Sequence, residues 1–140
     1  TSVTVASSHA RAIASGKAYC WGLNSGGQLG DGSPVPRAVP VASGTSGAMF
    51  GKTVTSLSAG GDGASATTCA VASGKAYCWG GNGYGQLGDN TLISKSSPVA
   101  VNTAGVLAGL TASTVSTAAS NAAAQVVASC PVCGVTVSQS

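Results

Sequence analysis

Cys69-Ala70-Val71-Ala72-Ser73-Gly74-Lys75-Ala76-Tyr77-Cys78-Trp79-Gly80 is the stretch that decides the fold. Two short strand candidates, Thr68 to Ala72 and Lys75 to Trp79, flank Ser73-Gly74, a two-residue link in which glycine supplies the positive φ of a hairpin turn. The turn length sets the register. Ala72 faces Lys75, so facing residue numbers sum to 147 and Cys69 lies opposite Cys78. Counting outward from the turn, Ala72/Lys75 and Ala70/Tyr77 form the hydrogen-bonded pairs, while Val71/Ala76 and Cys69/Cys78 do not. A non-hydrogen-bonded pair brings its Cα atoms to about 4.5 Å, at the short end of the disulfide range. A Cys69–Cys78 disulfide is therefore expected in an oxidising compartment. The loop it closes is small, which limits its contribution to about 2–3 kcal/mol.

The stretch is one of two copies. Gly16-Lys17-Ala18-Tyr19-Cys20-Trp21-Gly22 returns as Gly74-Lys75-Ala76-Tyr77-Cys78-Trp79-Gly80, and Gln28-Leu29-Gly30-Asp31 as Gln86-Leu87-Gly88-Asp89, both 58 residues on. Pro40-Val41 and Pro98-Val99 continue the match. A fainter third copy is read at a 61-residue shift, with Thr53-Val54 echoed by Thr114-Val115 and Cys69 by Cys130. The expected division is 1–58 and 59–113 as two repeat units and 114–140 as a partial third, an assembly segment at the C-terminal end. Asn82 to Asp89 is dense in glycine and reads as a tight turn with close backbone approach. The prolines mark loops and strand starts. Long helices are not expected before residue 103, and 118–128 reads equally as a short helix or as a strand.

Composition narrows the function. Of 140 residues, 6 are Lys or Arg, 3 are Asp and 1 is His, with no Glu. The 6% charged residues compare with about 25% in an average soluble domain. A net charge of +3 is too small and too scattered for a nucleic-acid footprint. The chain lacks a run of about 20 apolar residues, so no spanning helix is expected. One histidine and three aspartates leave little for acid–base catalysis, and no Ser/His/Asp or Cys/His triad can be drawn from His9. Gly-Lys-Ala-Tyr lacks the spacing of a phosphate-binding loop. Asp31, Asp62 and Asp89 sit beside glycine or Asn as turn residues do. They are too dispersed for a calcium site. No enzyme activity, cofactor or metal is expected.

Cys69 to Gly80 followed by Asn82-Gly83-Tyr84-Gly85-Gln86-Leu87-Gly88-Asp89 resembles the regulator of chromosome condensation repeat, and most closely its bacterial secreted form, with a cysteine before the hairpin as well as before Trp. The resemblance covers about residues 5–102, with an echo from 114 to 130. It implies an all-β fold of four-stranded propeller blades, usually seven in one chain. Two and a half units do not close such a ring. Three explanations stand: an excerpt of a longer protein, a ring shared by several chains, or units stacked end to end into a fibre. The start at Thr1 fits either a processed subunit or a trimmed longer chain. The nucleotide-exchange activity of nuclear members is not carried over, because no exchange wedge or acidic contact set is visible.

The remaining residues point to assembly. Arg11 falls opposite Cys20, where the second copy has Cys69, so Cys20 lacks a local partner. Cys20 is therefore read as joining Cys130 or Cys133 of a second copy, or as a free thiol beside a Cys130–Cys133 bridge, or as part of an intrachain link. Cys130-Pro131-Val132-Cys133 is a lone CxxC, without the second pair a zinc site wants or the context of a redox site. Trp21, Trp79, Tyr19 and Tyr77 are read as blade-packing residues. A surface this poor in charge tolerates contact with copies of itself. The expectation is a non-enzymatic, extracellular or cell-surface protein that self-associates through its β-repeat edges, as a surface filament. The rival is a protein- or glycan-binding sector of a larger secreted propeller.

Overall fold

The computed structural model describes residues 1–104, 108, 111–117, 125–129 and 136–139, with 116, 125–129 and 136–139 as backbone alone. The described residues build three antiparallel sheets. The first runs in the order β1 (Ser2–Val5), β2 (His9–Ala14), β3 (Lys17–Gly22), β4 (Arg37–Ala42). The second repeats it with β5 (Val54–Gly60), β6 (Thr67–Ala72), β7 (Lys75–Gly80) and β8 (Lys95–Ala100). The third holds β9 (Thr111–Ser116), β10 (Gln125–Ser129) and β11 (Thr136–Gln139). One 3-10 turn, Gly63–Ser65, is the helical element among the described residues. This is an all-β, propeller-like stack of blades, short of a closed ring.

Each central hairpin follows from its two-residue turn. Ser15 and Gly16 have φ of 49° and 70°, and Ser73 and Gly74 have 48° and 77°. Both turn residues, and not glycine alone, sit at positive φ, as a type I′ turn requires. The pairing then runs Ala72↔Lys75 out to Thr67↔Gly80 in the second blade, and Ala14↔Lys17 out to His9↔Gly22 in the first. Each turn is clasped by the next blade. The Gly16 carbonyl accepts from the Val54 amide at 2.8 Å, and the Gly74 carbonyl from Ala112 at 2.9 Å.

That second contact corrects the 61-residue echo. Ala112, not Val115, holds the place of Val54, a shift of 58 residues. The strand pairing agrees. Val54↔Ala72, a skipped residue, then Ser56↔Val71 in the second blade matches Ala112↔Ala128, a skipped residue, then Thr114↔Val127 in the third. Continuing the count puts Gln125 where the second blade has Cys69. Cys130 and Cys133 fall in the 130–135 connection between β10 and β11, outside the described residues. Residues 125–129 form a strand, and 118–124 lie outside the described residues.

Two apolar seams hold the stack together. Ala18, Cys20, Leu29 and Met49 meet Val54, Ala70, Ala72, Tyr77 and Trp79 between the first and second blades. Cys69, Val71, Ala76, Cys78 and Leu87 meet Ala112 and Val115 between the second and third. Opposite faces of one sheet thus serve two neighbours, as the two-residue side-chain period dictates. β5 spans residue 58, so sequence units and sheets are out of phase.

Candidate interface between blades

The Gln-Leu-Gly-Asp segments are loops folded around a buried asparagine. The Asn24 side-chain amide donates to the carbonyls of Ser33 and Val35 at 2.8 and 2.9 Å and to Asp31 at 3.2 Å, while its oxygen accepts from the Leu29 amide at 2.9 Å. Asn82 repeats this with Thr91, Ile93, Asp89 and Leu87. One amide side chain with two donors and an acceptor satisfies loop groups that no strand pairs. Asp31 accepts from Ser33 and pairs with Arg37 at 2.8 Å; the Asp89–Lys95 pair is longer, at 3.9 Å. Burial pushes the Asp31 carboxyl up, but hydrogen bonds from Arg37, Ser33 and Asn24 outweigh it and hold the group below the usual carboxylate range. Asp89 is lowered by the same balance, with Thr91, Asn82 and Lys95 as its partners.

The first loop grips the second blade. Its Gln28 carbonyl accepts from the Trp79 indole at 2.9 Å and from the Thr68 hydroxyl at 2.7 Å. Thr68 spends its proton on Gln28, so at its oxygen it accepts from His9 Nε2, 2.9 Å away. The Gln28 side chain donates to the Gly63 carbonyl at 2.9 Å. Trp79 is fully buried, and a Cβ on Gly30 would stand 2.6 Å from its indole nitrogen. Only a glycine lets the loop lie this close. Burial, with Arg11 nearby, lowers the His9 pKa from 6.5 to about 4.

The corresponding face of the first blade is open. Register puts Val5, Ala10 and Trp21 in one row and Val3, Ala12 and Tyr19 in the next. Their counterparts in the second blade are Ala59, Thr68 and Trp79, then Leu57, Ala70 and Tyr77. Tyr77 and Trp79 are buried, whereas Tyr19 and Trp21 are only half-buried and Val3 and Val5 are 60% and 74% exposed. A cavity of about 450 Å³ lies between the first hairpin turn and the 44–53 loop; Lys17, Tyr19, Phe50 and Lys52 are among its lining residues.

The cysteines divide by blade. Cys69 and Cys78 form a disulfide, with Cα atoms 4.1 Å apart. Cys20 is free and fully enclosed opposite Arg11. Burial pushes its thiol up to about 11. A bond from Cys20 to a second copy would require the seam between the first two blades to open. The Cys130 and Cys133 alternatives lie outside the described residues. The described residues hold no group of three His, Cys, Asp or Glu side chains able to bind a metal, and no helix long and apolar enough to cross a membrane. Sequence reasoning missed Gln28 and Thr68 as interface residues and Asn24 and Asn82 as the hubs of their loops. The 58-residue recurrence of Asn24 as Asn82 was the signal that could have found the hubs.

The family profile of the Regulator of chromosome condensation (RCC1) repeat matches residues 15–66 and 73–124. The chain belongs to this family. The crystal structure of human WBSCR16 is similar, with a TM-score of 0.76 and 21% identity over 91% of this chain. At that identity the likeness is one of fold. This chain spans 30% of the length of that protein. Each RCC1 match starts near a hairpin turn and runs into the next sheet, so a sequence repeat carries strands of two blades. The RCC1 repeats and the propeller-like fold suggest a protein-interaction module.

Proposed function

We propose that this chain is a non-enzymatic, extracellular self-association module whose open Trp21 face receives the Gln-Leu-Gly loop of another blade, building a surface filament from copies of itself. The observation that carries this reading is the unfilled Trp21 face beside a filled Trp79 face built on the same Tyr-Cys-Trp string. The choice of occupant follows the molecule's own seam, where the Gln28 loop supplies one carbonyl and a glycine gap to the tryptophan. Scarce charge lowers the repulsion between copies. The Cys69–Cys78 bridge suits an oxidising extracellular location. Units 1–58, 59–113 and 114–140 are the proposed repeat boundaries, with Trp21, Tyr19, Trp79 and Tyr77 as the blade-packing residues.

Sedimentation across a concentration series, with electron microscopy of the concentrated protein, tests the proposal. The expected result is association that Trp21→Glu abolishes. A folded monomer at every concentration would sink it. The cavity lined by Lys17 and Lys52 supports a second reading, a protein- or glycan-binding sector of a longer secreted propeller. Intact mass separates the two, since further blades in the same polypeptide would themselves cover the Trp21 face. A glycan array, read with Lys17→Ala as control, tests the ligand.

A further inference from the structure

The seam between the first two blades encloses a cation that no side chain among the described residues neutralises. Arg11 faces Cys20 across β2 and β3, on the side of the sheet that also carries Ile13 and Ala18 into this seam. Only 7% of Arg11 is exposed, and its Nε and Nη1 are buried with no hydrogen-bond partner. Two residues along, on the same side of β2, His9 is 2% exposed with Nδ1 likewise unpartnered, and the Ser8 hydroxyl beside it is a fourth such atom. A guanidinium stays charged in proteins, so proton loss does not relieve its burial. Buried charges are paired, and an unsatisfied buried donor in a native fold signals a missing partner.

The chain has no carboxylate side chain to spare. Its three acidic residues are Asp31, Asp62 and Asp89. Asp31 is paired with Arg37 and Asp89 with Lys95, and Asp62 is exposed on the turn before Gly63. Nor does the unfilled Trp21 face explain the orphan, because Arg11 points to the opposite side of the sheet, where the second blade already packs. The chemistry wanted is one negative charge with several lone pairs and little volume.

We propose that Arg11 holds one small monovalent anion, a halide or a single carboxylate group, sealed in the seam between the first and second blades. The guanidinium Nε and Nη1 donate to it. His9, anchored through Nε2 to Thr68, walls the site and is placed to report on it. The site is distinct from the blade-docking face and does not depend on it.

Thermal melting of the intact chain at low concentration, in the sodium salt of MOPS, a bulky sulfonate, replaced stepwise by sodium chloride or by sodium acetate at constant ionic strength, tests the site. The expected result is a saturable rise of about 2–5 °C in the melting midpoint with one or both small anions, absent in Arg11→Met. A rise with chloride but not acetate assigns a halide, and the reverse a carboxylate. A midpoint indifferent to anion identity, or the same rise in Arg11→Met, overturns the proposal and leaves water as the partner. The chain has one histidine, so its ring protons give a second readout on the unaltered protein. Should Arg11→Met not fold, saturable movement of those signals with chloride or acetate supports the site, and their constancy overturns it.

Discussion

The Trp21 face and the Trp79 face are made by the same Gly-Lys-Ala-Tyr-Cys-Trp-Gly string in the same register, yet one is open and the other sealed. The difference lies in what sits opposite. Trp79 has a neighbouring loop that brings a carbonyl for its indole N–H and a glycine that leaves room for the ring. Trp21 has neither. A buried tryptophan in this fold is thus a property of two adjacent blades rather than of its own strand. The hairpins differ in a second way. One is closed by Cys69–Cys78, and the other sets Arg11 against Cys20 in the matching place.

Truncating the two tryptophans should part the faces most widely. Trp79→Ala removes a filled site and is expected to cost about 3–5 kcal/mol, whereas Trp21→Ala should cost the isolated chain about 1 kcal/mol or less. Denaturant melts of both variants check this. Equal losses would mean the Trp21 face is already covered.

His9 should make the sealed seam sensitive to acid. Its pKa falls from 6.5 to about 4 on folding, so the unfolded chain binds more protons between those values. The corresponding stability is whole above pH 6.5 and is lost as pH falls towards 4, by about 3 kcal/mol. Stability measured against pH for the unaltered chain and for His9→Gln should show this slope in the first and not in the second.

Replacing both Cys69 and Cys78 with Ala should cost about 2–3 kcal/mol. Arg11→Cys would copy the second hairpin into the first, exchanging a buried cation for a bond to Cys20. Under oxidising conditions it should raise stability by a similar amount, read from melts with and without reductant. An Arg11→Cys protein that stays reduced would show that the two hairpins differ in backbone and not only in side chain.

The smallest contrast is between the loop ion pairs. Arg37→Ala breaks a 2.8 Å contact to Asp31, and Lys95→Ala a 3.9 Å contact to Asp89. Both are partly exposed, so losses of about 0.5 kcal/mol and nearly nothing are expected, resolvable by chemical denaturation.

Much of the blade was legible in advance because it is local. A two-residue link between Ala72 and Lys75 admits one register, and that register alone put Cys69 opposite Cys78. The third blade was less legible. Matching letters at 61 residues set Val115 on Val54 and Cys130 on Cys69. Backbone pairing set Ala112 and Gln125 in those places instead. Resemblance between small, common residues such as Thr and Val carries little information, whereas hydrogen bonding tolerates no slip, since one residue turns every side chain to the other face.

By itself, then, the sequence settled what short-range geometry controls: the repeat, the hairpin register, the turn residues and the scarcity of charge. Tertiary structure alone decided that Gln28 serves Trp79 across a seam, that His9 leans on Thr68, and that Arg11 is enclosed without a counter-charge. Those contacts join residues dozens of positions apart. Their energies depend on which blade packs beside which, and no local pattern encodes that.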